Sequence, residues 1–139
     1  MREYRGKRVD TGEWIYGWYG VLGKDTDIEK HVIMISMLNT SSYANYFYFT
    51  DHEIDPKTVG QHTGYKGIHQ GDIVEVEHDE IGSPIPPDYI GEVKYMEYGY
   101  YVVNNKRKMA FPLYQEIAEW EKVGNIHDNP ELLKGDEGE

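Results

Sequence analysis

Cysteine is absent from this chain of 139 residues, which removes disulfides, thiolate metal ligands and a thiol nucleophile together. Long apolar runs are absent as well. The longest, Val32 to Leu38, is interrupted by Ser36 and falls far short of the length that crosses a bilayer. The opening Met1-Arg-Glu-Tyr-Arg-Gly-Lys-Arg8 is charged and no apolar stretch follows it, so a secretion signal is not expected. Positive charge is missing from a whole region: Gly67 to Val93 holds no Lys or Arg, while Asp72, Glu75, Glu77, Asp79, Glu80, Asp88 and Glu92 contribute −7. Catalytic signatures are missing too. There is no nucleophile elbow, no phosphate-binding loop, no His-Glu-x-x-His and no Ser/His/Asp arrangement. The expectation is a soluble, cytoplasmic, non-enzymatic protein.

What is present is acid and aromatic. The formal net charge is −11 and the pI about 4.9, which opposes sequence-independent binding to a phosphate backbone. The chain carries thirteen tyrosines and three tryptophans, side chains that supply large amphipathic contact area at low entropic cost. The length fits about one ordinary domain, enough to bury a core without staples.

Strand signals dominate the chain. Trp14, Tyr16 and Trp18 alternate along one face of Glu13 to Tyr19, as on a half-buried strand. His31 to Leu38 and Tyr43 to Thr50, split by the turn-prone Asn39-Thr-Ser-Ser42, read as a hairpin. Asp72 to Glu77 sets Val74 and Val76 against Glu75 and Glu77, a strand wet on one side. The prolines of Gly82 to Asp88 demand a loop. Tyr89 to Met96, Tyr98 to Val103 and Lys108 to Leu113 continue as short strands, with a turn at Asn104 to Arg107. Two short helices are expected. Leu113, Ile117 and Trp120 at i, i+4 and i+7 predict one after Pro112, and Asn129-Pro130 predicts another with Asn129 as its cap. The fold class is therefore mainly β, in short antiparallel strands. It divides into an N-terminal β-rich part over 1–55 and a C-terminal SH3-like, barrel-type part over 70–133, with a flexible tail at 134–139.

Four segments are too idiosyncratic to follow from composition: Tyr4-Arg-Gly-Lys-Arg-Val-Asp-Thr-Gly-Glu-Trp-Ile-Tyr-Gly17, Ile54-Asp-Pro-Lys-Thr58, Thr58-Val-Gly-Gln-His-Thr-Gly-Tyr-Lys-Gly-Ile-His-Gln-Gly-Asp-Ile-Val74 and Val123-Gly-Asn-Ile-His-Asp-Asn-Pro-Glu-Leu-Leu133. In this order they resemble the YopX-like family, carried mostly by phages and prophages of Gram-positive bacteria, and they make the whole of 1–139 one YopX-like domain. The resemblance implies a phage or prophage accessory protein in a bacterial host cell, and brings no biochemical activity with it. Its hallmark residues here are Gly60, Gln61, Thr63, Gly64, Gly71 and Asp72. Relatives usually carry a longer hallmark, Thr-Gly-Leu-x-Asp-x-x-Gly-x-x-Ile-x-x-Gly-Asp. This chain shortens it to Thr63-Gly-Tyr-Lys-Gly-Ile-His-Gln-Gly-Asp72, so a partner contact made by the middle of the longer form would be lost. The density of glycines suits a tight turn, sealed by Asp72 accepting hydrogen bonds from loop amides.

Candidate contact residues follow from the aromatic and acidic strands: Tyr98, Tyr100 and Tyr101, with Tyr100 to Val103 as an edge strand open to self-association, and Glu75 with Glu77. His69, Asp72, His78, Asp79 and Glu80, with Glu75 and Glu77, lie near one another, but their spacing matches no motif that fixes ligand geometry. No metal or other cofactor is assigned. The leading expectation is a protein-interaction or self-assembling module, a homo-oligomer in its simplest form. One alternative is an acidic decoy of a host nucleic-acid-binding protein, using the field from Asp72 to Glu92. Another is a nucleic-acid-associated small barrel, using Arg2, Arg5, Lys7 and Arg8 with Lys106, Arg107 and Lys108.

Overall fold

The computed structural model describes residues 3–40, 45–79 and 81–134, without the side chains of Asn39, His78 and Asp79. It is mainly β. The chain divides into two compact units, Met1–His62 and Thr63–Glu139, and each carries one five-stranded antiparallel sheet. No helix among the described residues is long and apolar enough to cross a membrane.

The first unit holds β1 (Tyr4–Lys7), β2 (Trp14–Leu22), β3 (Lys30–Thr40), β4 (Asn45–Glu53) and the two-residue β5 (Gly60–Gln61), in the spatial order β4-β3-β2-β1-β5. β2 is shared lengthwise. Its first half pairs with β1 from Trp14 to Gly17, and its second half pairs with β3 from Trp18 to Leu22. β4 pairs with β3 along its whole length, from Glu53 opposite Val32 to Asn45 opposite Thr40. The outer part of that hairpin, beyond Met34, therefore runs on as a two-stranded ribbon. The small core of this unit includes Val32, Ile33 and Ile54. Gly6 lets Ile54 in: a Cβ at Gly6 would stand 2.9 Å from Ile54 Cδ1. A 3₁₀ turn at Pro56–Thr58 follows, with Asp55 Oδ1 accepting from the Lys57 amide at 3.0 Å. The Thr58 hydroxyl then accepts from the Lys7 amide at 2.8 Å. Two of the singled-out segments, at Tyr4 and at Ile54, thus interlock as one packing unit.

The second unit holds β6 (Asp72–Asp79), β7 (Ile90–Met96), β8 (Gly99–Asn104), β9 (Met109–Pro112) and β10 (Ala118–Asn125), in the order β10-β6-β7-β8-β9. Alternation decides which face is buried: along β8, Tyr100, Val102 and Asn104 point inward between more exposed neighbours. Val74 and Val93 join them from β6 and β7, and Trp120 from β10. Tyr89 pins the centre. It is fully buried, its hydroxyl donates to the carbonyls of Val102 and Met109 at 2.9 Å each, and burial pushes its pKa up to about 12. Phe111 meets its ring edge to face at 4.9 Å.

Three expectations change. Leu113 to Trp120 is not a helix. Leu113 continues the ladder by donating from its amide to the Tyr100 carbonyl at 3.0 Å, and Ala118 already begins β10. The helical spacing arose because the chain bends between two strands and returns Leu113 and Trp120 to the same core. Pro112 accordingly ends β9 instead of starting a helix. Tyr100 to Val103 is not an edge, since β8 lies between β7 and β9. The SH3-like barrel is not confirmed, because no pairing of β9 with β10 closes the sheet among the described residues. The second expected helix is present as a 3₁₀ turn at Pro130–Lys134. Asn129 precedes it, its side-chain oxygen accepting from the Asn125 amide at 3.3 Å and its carbonyl from the Leu132 amide at 3.1 Å.

Gly91 gives a direct test of this packing. A Cβ there would lie 2.7 Å from the Val103 carbonyl oxygen, whereas one at Gly99 meets nothing within 4 Å. Gly91→Ala should destabilise the chain by about 1–3 kcal/mol in thermal or urea unfolding, as overpacking does, while Gly99→Ala should be close to neutral.

Candidate interaction surface

The hallmark residues form structure on both sides of the division between units. Gly60 and Gln61 are β5, opposite Arg5 and Tyr4. Thr63, fully buried, closes the following loop: its amide and its hydroxyl both donate to the Ile68 carbonyl, at 2.9 and 2.8 Å. Gly64 and Gly71 adopt positive φ, 87° and 93°, a region that glycine enters without steric cost. Asp72 is fully buried. Its Oδ2 accepts from the His69 amide at 2.7 Å and lies 3.4 Å from the Lys122 ammonium on β10. Backbone bonds tie the neighbouring Gly71 to β7 and to the segment after β10, through Gly71 N to Val93 O and Ile126 N to Gly71 O, both 2.9 Å.

The last of the singled-out segments is a knot around Asn125. Its side-chain oxygen accepts from the amides of His127 and Asp128 at 2.9 Å each, and its amide nitrogen donates to Asp128 Oδ2 at 3.0 Å. Gly124 has no side chain because Asn129 Oδ1 would stand 2.6 Å from a Cβ there. These motifs organise backbone.

The five contact residues read from the sequence do not form one patch. Tyr98 is exposed at the β7–β8 turn, Tyr100 is in the core, and Tyr101 is half-buried on the opposite face of β8. Glu75 faces Glu121 across the β6–β10 ladder, an opposition of like charges that is mildly unfavourable. Glu77 shares Lys66 with Glu119, the ammonium lying 3.7 and 3.2 Å from the two carboxylates. Glu92, on the same strand face as Ile73, is held above the ordinary carboxylate range by burial, partly offset by Lys94 at 4.0 Å. No group of three or more His, Asp or Glu that could hold a metal occurs among the described residues. The side chains of His78 and Asp79 and all of Glu80 lie outside them.

A run of exposed apolar side chains lies elsewhere in the first unit, on the β3–β4 ribbon. Tyr46, Phe47, Tyr48 and Phe49 are consecutive and exposed by 52, 72, 40 and 61 %. Phe47 and Phe49 share one face with Leu38; Tyr46 and Tyr48 share the other with Met37. At the ribbon's root Trp18, Tyr19, Met34 and Phe49 line an open hollow of about 460 Å³. Sequence reading found the strand and its tyrosines. It had no way to see that β2 leaves β3 after Met34.

A polar chain on the opposite face of β2 and β3 was not visible in sequence either. The Tyr19 hydroxyl bonds His31 Nδ1, and His31 Nε2 stands 3.4 Å from Glu29 Oε2. Glu29 is lowered, first by the hydrogen bond it accepts from the Asp25 amide, and then by His31. Burial and the Glu29 charge raise Tyr19, opposite to what an activated phenolate nucleophile needs. The chain's evident effect is to orient Tyr19.

Two antiparallel five-stranded sheets with glycine-rich corners and a projecting aromatic hairpin define a mainly β protein. The chain matches the family model described as YopX protein over residues 3–134 and belongs to that family. No curated protein and no solved structure matched it.

Two outcomes follow. Asn125→Ala removes three hydrogen bonds from a buried site and should cost roughly 2–4 kcal/mol in chemical denaturation, far more than Asn105→Ala on the exposed β8–β9 turn. For Glu92 the folded pKa is raised, so its charge opposes folding once the pH climbs through the window above the ordinary glutamate value of 4.5. Below that value it is neutral in both states. Glu92→Gln should therefore raise the melting temperature at neutral pH, with the gain shrinking to nothing below about pH 4.

Proposed function

We propose that this YopX family member is a non-enzymatic accessory protein of a phage or prophage that acts by binding a protein or itself. The observation that supports the reading most is the β3–β4 ribbon, apolar on both faces and exposed in water, where a two-stranded hairpin alone has marginal stability. A surface of this kind is costly unless something covers it. The basic strip needed for nucleic-acid binding is weakened by where its members lie. Arg5 is buried with its guanidinium 4.5 Å over the Trp14 ring, and Arg8 is tied to Asp10 at 2.7 Å. The decoy reading has one specific support, the opposed Glu75 and Glu121, whose repulsion a cationic partner would relieve.

Site-specific photo-cross-linking in the producing bacterium tests the proposal. A benzoylphenylalanine placed at Phe47, at Tyr98 or at Glu75 probes the ribbon, the turn and the acidic strand in turn. Adducts of defined mass from Phe47 are expected. Adducts from Glu75 alone, to a basic host protein, would transfer the reading to the decoy. No adducts at any of the three positions would overturn a function of contact.

A further inference from the structure

We propose that β4 pairs with β4 of a second copy of this chain, antiparallel and two-fold, extending the sheet of the first unit across a dimer; this rests on the contact function above. Four strands form the edges of the two sheets, and three of them are guarded. β5 is only two residues long. β9 is four residues long and ends in Pro112. β10 is broken by two register shifts and lined with Glu119, Glu121 and Lys122. Short length, proline, bulges and charge are the devices that keep sheet edges from pairing. β4 has none of them over its aromatic half. It spans nine residues, Asn45–Glu53, pairs with β3 without a register shift, and contains no Lys, Arg, Pro or Gly.

Charge placement selects the direction and the register. Parallel pairing in register would set Asp51 against Asp51 and Glu53 against Glu53, like charges directly opposed. Antiparallel pairing about a two-fold axis at Tyr48 sets Asp51 opposite Asn45 instead. It also places Phe47 of each copy opposite Phe49 of the other and Tyr48 opposite itself. Phe47 of the second copy then lies beside Phe49 at the mouth of the hollow formed with Trp18 and Met34. The interface is isologous and closes, so it yields a dimer and no fibre.

Edge pairing covers β4 itself. Taking about 200 Å² per ring, the fractional exposures of Tyr46 to Phe49 give at most roughly 450 Å² per chain. Twice that lies below the ~1,200–2,000 Å² of a standard interface, so the dimer is expected to be weak. The chains repel through their net charge of −11 each, so salt should strengthen this pairing by screening. Salt would weaken an attraction to a cationic partner.

Sedimentation velocity on the full chain, at about 100 µM and in low and high salt, is the test, the concentration being high because the dimer is weak. The expected result is twice the chain mass, favoured by salt. The Phe47→Lys/Phe49→Lys double variant should be monomeric with an unchanged circular dichroism spectrum. Because the chain lacks cysteine, a single Tyr48→Cys reports the register cleanly. Either Cα spacing of an antiparallel pair, about 4.5 or 5.5 Å, lies in disulfide range, so mild oxidation should link two chains, whereas Glu53→Cys should not link. A monomer under all conditions, or a dimer indifferent to the double variant, overturns the proposal. A monomer whose Phe47 position still cross-links to a different protein overturns self-pairing and leaves the contact function standing; a monomer with no adducts at any probe position ends both.

Discussion

An open antiparallel sheet ends in two edge strands, and each edge carries backbone donors and acceptors with no strand to meet them. That constraint governs this chain more than any single side chain does. Both units solve the interior of the problem alike, with ladders of short strands whose alternating side chains bury one face. They differ at the margins. In the second unit the edges are short, proline-ended, bulged or charged. In the first unit β5 is brief, but β4 is long, regular and aromatic.

The family motifs belong to the interior solution. Gly6 yields its side-chain space to Ile54, Thr63 closes a loop on Ile68, Asp72 anchors the entry to β6, and Asn125 gathers the amides after β10. Thr63, Asp72 and Asn125 sit where the chain turns, and each accepts or donates hydrogen bonds that satisfy backbone groups there. A motif can thus be distinctive without touching a ligand. The two ends of the segment from Thr63 to Asp72 hold hydrogen bonds that close the loop and fix the entry to β6.

The sequence showed the fold class, the hairpin, the wet and dry faces of β6 and the loop at the prolines, because alternation and turn chemistry are local properties. It misjudged Leu113 to Trp120, where apolar residues at helical spacing are distributed over a bend and the start of β10. Period alone cannot separate those arrangements, because both return the side chains to one core. It also treated Tyr98, Tyr100 and Tyr101 as one surface, although alternation along β8 buries Tyr100 and turns Tyr101 the other way. The Tyr19–His31–Glu29 chain was out of reach, since its first two members meet only through the register of β2 on β3.

Residue types by themselves determined that this protein folds as β without disulfides, carries strong negative charge and belongs with the YopX proteins, because composition, period and motif order are written along the chain. Which aromatic strand lies inside and which stands at an edge was decided only in three dimensions. Tyr100 and Tyr48 sit in similar local sequences, yet one is covered by β7, β9 and the core, while the other waits at a margin that no strand of its own chain covers among the described residues. Strand order is a property of long-range pairing, and no window of sequence contains it.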